Sequence, residues 1–129
     1  MGEFQPDRLK IVKDAFKYLD TEHAGELDFE YIKSQYIPHN HPDVLTGKKG
    51  DDEVFQEFLS TFETHRYLMY GTDHSRPVTL DEWIQYYHNI SANIDNDTYF
   101  KSMLNNVWNM DGKAFKYKVT SKVGLFSLK

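Results

Sequence analysis

Cysteine is absent from this chain, so it has neither a disulfide framework nor a thiolate metal site. That absence fits a cytoplasmic protein. No apolar run approaches the roughly 18 residues of a transmembrane helix, so membrane insertion is not expected. The first ten residues, MGEFQPDRLK, lack the apolar core of a signal peptide. A nucleophile elbow and a Gly-rich phosphate loop are also missing, which argues against an enzyme. Basic charge is in short supply: 15 Lys and Arg stand against 20 Asp and Glu, a net of −5. The deficit is uneven. From Asp111 onward there are five Lys and one Asp, a net of +4, which leaves −9 on the preceding part. An acidic body argues against nucleic-acid binding and suits a cation or a basic partner.

What is present is enough for a core. The chain has 129 residues, one domain's worth, with 40% hydrophobic and 16% aromatic residues. Val12, Ala15, Phe16 and Leu19 fall at i, i+3, i+4 and i+7, which predicts a helix over 7–19. A second helix is expected from about Asp28 to Tyr36, ended by Pro38. Ile37 to Gly50, with two Pro and two Gly, reads as a linker. Val54, Phe55, Phe58, Leu59 and Phe62 make the apolar face of a helix over 51–62. Glu63 to Pro77 reads as irregular. Val78–Leu80 reads as a short strand and Asp81–Asn89 as a helix with Trp83, Ile84 and Tyr87 on one side. Phe100, Met103, Leu104, Val107 and Trp108 predict a last helix that ends near Met110, before Gly112.

Between the first two helices lies Asp20 to Tyr31, D-T-E-H-A-G-E-L-D-F-E-Y, which has the outline of an EF-hand calcium loop. Such a loop takes oxygens from positions 1, 3, 5, 7 and 9, a bidentate Glu at 12, and a turn-forming Gly at 6. Asp20 stands at 1, Glu22 at 3, Gly25 at 6, the Glu26 carbonyl at 7 and Asp28 at 9. Ala24 at position 5 has no oxygen to give, and Tyr31 takes the place of the bidentate Glu. The same residues also suit simple caps and turns.

EF-hands pair through an antiparallel contact between their loops, and Val78 is the candidate to face Leu27. That register puts Glu82 at position 12, Ser75 at 5, Asp73 at 3 and Gly71, which has no carboxylate, at 1. Arg76 occupies position 6, and Pro77 pushes it toward extended backbone. The segment E-T-H-R-Y-L-M-Y before Gly71 reads as an insertion. The expected architecture is all-α: an EF-hand pair with a short antiparallel β contact between loops over 1–110, followed by a basic tail over 111–129. Calcium needs six to eight oxygens. With about four donors in one loop and five in the other, affinity is expected to be on the order of 10⁻³ M or weaker.

The chain resembles the C-terminal half of calcyphosine-like EF-hand proteins. The matching pieces are A-F-K-Y-L-D, Y-I-P-H-N-H-P-D-V, D-D-E-V-F-Q-E-F-L-S-T-F, V-T-L-D-E-W-I-Q-Y-Y-H-N-I-S-A-N-I-D and Y-F-K-S-M-L-N-N-V-W, in order from about Ala15 to Trp108. The resemblance implies an EF-hand pair of calcium-binding ancestry. It also implies relatives in cilia and flagella, some bound to microtubules, and hence an axonemal setting with tubulin or an axonemal protein as partner. The tail after Met110 departs from the family.

The remaining features are read on their own terms. His39, His41, His65, His74 and His88 have no Cys nearby and read as surface polar groups rather than a zinc site. The nine Phe, nine Tyr and two Trp suit either a core or a groove between helices that binds a partner. Only four Met are present, whereas promiscuous grooves are Met-rich. The reading is a fixed partner, or a groove filled by Phe115, Tyr117, Val119 or Leu125 of the tail. Two functions follow: a calcium-independent structural or protein-interaction module, or a weak calcium sensor or buffer.

Overall fold

A computed structural model describes residues 4–73 and 75–112. In chain order the elements are α1 (Pro6–Leu19), β1 (Glu26–Leu27), α2 (Phe29–Gln35), a 3₁₀ turn (Pro38–Asn40), α3 (Pro42–Leu45), α4 (Asp51–Tyr70), β2 (Val78–Thr79), α5 (Leu80–Ser91) and α6 (Asp97–Val107). β1 and β2 pair antiparallel, with Leu27 opposite Val78 and Glu26 opposite Thr79. The fold is the all-α EF-hand pair expected from the sequence, in the expected register.

Local chemistry explains most element ends. Pro6 opens α1, where its missing N–H costs nothing. Thr79 caps α5, its hydroxyl oxygen accepting from the Glu82 amide at 3.2 Å. Asn96 caps α6 in the same way, accepting from the Tyr99 amide at 2.8 Å. The last helix stops at Val107, not Met110. Asn109 rather than Gly112 takes the first left-handed step, with φ of 58°.

Two expectations about connections are corrected. The Ile37–Gly50 linker contains a 3₁₀ turn and the short α3. The Asp43 amide donates to His41 Nδ1 at 3.0 Å and so starts α3. The linker is also tied to α6: the Ile37 amide bonds to the Val107 carbonyl at 2.8 Å, and Tyr99 Oη donates to Asp43 at 3.1 Å. The larger correction is α4, which runs eight residues beyond Phe62, through to Tyr70. The segment E-T-H-R-Y-L-M-Y is therefore two further turns of helix, not an inserted loop. It enters the second loop directly, as α1 enters the first.

The core is aromatic. Phe16, Phe58, Phe62, Trp83, Tyr87, Phe100 and Trp108 are all buried. Tyr36 stacks on Phe58 with centroids 4.1 Å apart and planes 7° from parallel. Both indoles find acceptors: Trp83 Nε1 donates to the Val12 carbonyl at 2.9 Å, and Trp108 Nε1 to Tyr87 Oη at 2.9 Å. Trp83 thus locks α5 onto α1.

One buried charge joins α1 to the other end of the molecule. Arg8 Nη1 donates to the carbonyls of Ser91 (3.1 Å) and Ile94 (2.8 Å) and to Ser91 Oγ (2.7 Å). Its Nη2 reaches the Asp95 carbonyl at 3.2 Å, and Nε pairs with Asp97 at 2.6 Å. The Ser91 carbonyl, at the end of α5, also accepts from the Ile94 amide at 3.1 Å, and the Ile94 and Asp95 carbonyls lie in the turn just beyond it.

Candidate functional site: the paired loops

The first loop is drawn around Asp20. Its Oδ1 accepts from the Ala24 amide at 2.9 Å and its Oδ2 from the Gly25 amide at 2.8 Å. These two bonds, Gly25's first, hold the Asp20 carboxyl below its ordinary pKa. His23 and Gly25 have positive φ, 56° and 81°, which lets the chain turn back over the carboxylate. Asp20, Glu22, Glu26 and Asp28 line one cavity of about 230 Å³, with Ala24 and Tyr31 in its wall. Asp20 is buried, whereas Glu22, Glu26 and Asp28 are exposed. The four share a cavity without converging on a point. Among the described residues, no three His, Cys, Asp or Glu side chains are gathered as metal ligands would be.

Tyr31 closes this loop. Its hydroxyl donates to the Leu19 carbonyl at 2.8 Å, bridging from position 12 to the residue before position 1. Burial, then the neighbouring Tyr18, Asp20 and Glu22, pushes the phenol's pKa up, so it stays a proton donor. A phenol proton stands where a calcium loop needs two carboxylate oxygens. Ala24, also in the cavity wall, carries no side-chain oxygen.

The second loop is closed by a charge. Gly71 ends α4 with φ of 67°, and its amide bonds to the Tyr67 carbonyl at 2.7 Å. At the exposed end, Asp73 Oδ1 accepts from the Ser75 amide at 3.0 Å and from Ser75 Oγ at 2.7 Å, while Oδ2 lies 3.4 Å from Arg76 Nε. The bonds from Ser75 hold the Asp73 pKa down. Among the described non-glycine residues only His23 and Asn109 have positive φ, so Arg76 does not take the turn that Gly25 takes.

Glu82 is at position 12 as expected, but it faces Arg66. The guanidinium Nη1 lies 3.2 and 3.1 Å from the two carboxylate oxygens, and Nη2 donates to the Arg76 carbonyl. Tyr70 Oη stands 3.5 Å from Glu82 Oε1. Glu82 is 1% exposed and Arg66 8%. Burial pushes the Glu82 pKa up, and Arg66 opposes that shift. Arg66 also lies 5.6 Å from the ring centres of Phe29 and Tyr70. Asp73 and Ser75 thus bond to each other at the surface, and Glu82 bonds to α4 in the interior.

Arg66 is the residue of the second loop's closure that sequence reading missed. It sits in the two turns of α4 that read as an insertion, where Tyr67 and Leu68 are 60% and 78% exposed and no apolar period marks a helix. A cation four residues before Tyr70, with Glu82 at the loop exit, was the available signal. Phe115, Tyr117, Val119 and Leu125 lie outside the described residues.

No protein-family profile matches the chain. The chain is similar to crustacean calcium-binding protein 23 of Faxonius limosus, 39% identical over 106 residues, which is 82% of this chain and 50% of that protein. The similarity supports an EF-hand calcium-binding family. The chain spans about half the length of that relative. With the helix-loop-helix pair and the Leu27–Val78 contact, the sequence similarity and the fold point the same way.

Proposed function

We propose that this chain is a calcyphosine-like EF-hand pair that works chiefly as a calcium-independent structural and protein-interaction module. The observation that carries this reading is Tyr31. Its hydroxyl ties position 12 to the Leu19 carbonyl and supplies a donor where calcium requires a bidentate acceptor. The second loop supports it, because the Glu82 carboxylate is already matched by a guanidinium. The chain is further proposed to be non-enzymatic and cytoplasmic. Its partner is a protein, with tubulin or an axonemal component of a cilium or flagellum suggested by the family resemblance. The tail residues Phe115, Tyr117, Val119 and Leu125 are proposed to contact that partner or the chain's own groove.

A second reading, a weak calcium sensor or buffer, is favoured by the name of the crustacean relative and by the cavity shared by Asp20, Glu22, Glu26 and Asp28. Isothermal titration of the full chain with calcium separates the two. The module reading expects no saturable heat below about 1 mM. Binding with a micromolar constant would replace it with the sensor reading.

A further inference from the structure

We propose that Arg66 is the resident cation of the second loop. Its guanidinium takes the charge-balancing and loop-tying place of a divalent ion, so Gly71–Glu82 closes without metal. The inference deepens the calcium-independent reading above and rests on it, but it is tested separately.

The geometry supplies both things a bound ion would supply. A cation in an EF-hand loop neutralises the exit carboxylate and links it to oxygens of the loop. Arg66 reaches both Glu82 oxygens through Nη1 and the carbonyl of Arg76, at position 6, through Nη2. Few groups other than a guanidinium do this from one side chain. Its planar fork presents several donors in fixed directions, and it keeps its charge at any physiological pH. The pair is buried, at 8% and 1% exposure, and the guanidinium lies near the rings of Phe29 and Tyr70. Phe29 belongs to the first hand, so the same guanidinium braces one helix-loop-helix against the other.

The extra length of α4 has a role in this picture. Position 66 exists as helix only because α4 continues past Phe62, and it points inward while Tyr67 and Leu68 face out. A divalent ion at Glu82 would face a buried like charge that cannot be deprotonated. The second hand is therefore permanently loaded, and its shape does not depend on calcium.

The test is a double-mutant cycle by thermal unfolding of the full chain in excess chelator, using Arg66→Met, Glu82→Met and both together. Arg66→Met strands a buried carboxylate and lowers the melting temperature by on the order of 10 °C. The double variant, which removes both charges, recovers at least half of that loss. Arg66→Lys keeps the charge but loses the fork, and melts between wild type and Arg66→Met. Additive single effects, or an Arg66→Met chain that melts with wild type, would overturn the proposal. Calcium binding by the wild-type chain would count against the functional reading and leave the outcome of the cycle in chelator unchanged.

Discussion

At the scale of single residues, the proposed calcium-independent reading of the first loop rests on two side chains. Ala24 and Tyr31 occupy the positions that should give one and two oxygens. Asp20 is buried and Gly25 turns as it should. Replacing both, Ala24→Asp with Tyr31→Glu, raises the count of available oxygens from about four to about seven, within the range calcium takes. Calorimetry of that double variant is expected to show binding at least tenfold tighter than any binding by the wild-type chain. An unchanged isotherm would mean that loop geometry, not donor chemistry, is at fault.

Protonation adds a second residue-scale prediction. Burial pushes the pKa of both His41 and His65 below the ordinary imidazole value. His41 Nδ1 accepts the amide that starts α3, and His65 Nε2 is a buried nitrogen with no hydrogen-bond partner among the described residues. For a folded pKa lowered in this way, the unfolded chain takes up protons first as pH falls. Stability is therefore lost through the window below about pH 6.5. Melting followed from about pH 7.5 to about pH 5.5 should show this loss. His65→Phe keeps a ring against Phe62 and Tyr86 and removes the orphan nitrogen, so its melting curve should flatten with pH and gain about 1 kcal/mol at neutral pH. A His65→Phe chain as pH-sensitive as wild type would assign the loss to other groups.

At the scale of elements, legibility followed burial. α1 and α6 were readable because Val12, Phe16, Leu19, Phe100, Leu104 and Val107 are all buried and repeat with the helical period. The register of β1 on β2 was readable because Leu27 and Val78 are the apolar residues at matching loop positions. The second half of α4 was not, since its inward residue is charged and its exposed ones are aromatic and apolar. The role of Arg8 was hidden for the same reason: a buried guanidinium on the apolar face of α1 carries no periodic signal. It donates to the Ile94 and Asp95 carbonyls in the turn beyond α5 and adds a second donor at the Ser91 carbonyl. Arg8→Met is expected to cost on the order of 3 kcal/mol in denaturant unfolding. Most of this comes from the stranded carbonyls of Ile94 and Asp95, because the partner carboxylate of Asp97 is largely exposed. Arg8→Lys should recover only part. A loss below about 0.5 kcal/mol would show that water satisfies those carbonyls equally well.

At the scale of the whole molecule, both loops are held shut by protein groups of different kinds: a neutral phenol in one and a guanidinium in the other. The outline of the first was visible in the sequence as an incomplete donor set. The stitch across it was not, because a hydroxyl reaching a carbonyl twelve residues back leaves no pattern. The second was misread at its entrance and correctly placed at its exit, Glu82. The aromatic core joins the two hands through Phe29, Phe62 and Trp83. The most direct measurement is a calcium titration of the full chain in chelator-cleared buffer, followed by amide spectra. The resonances of Ala24, Gly25 and Glu82 are predicted to stay in place up to about 1 mM calcium. Saturable shifts of those amides with a micromolar midpoint would contradict it.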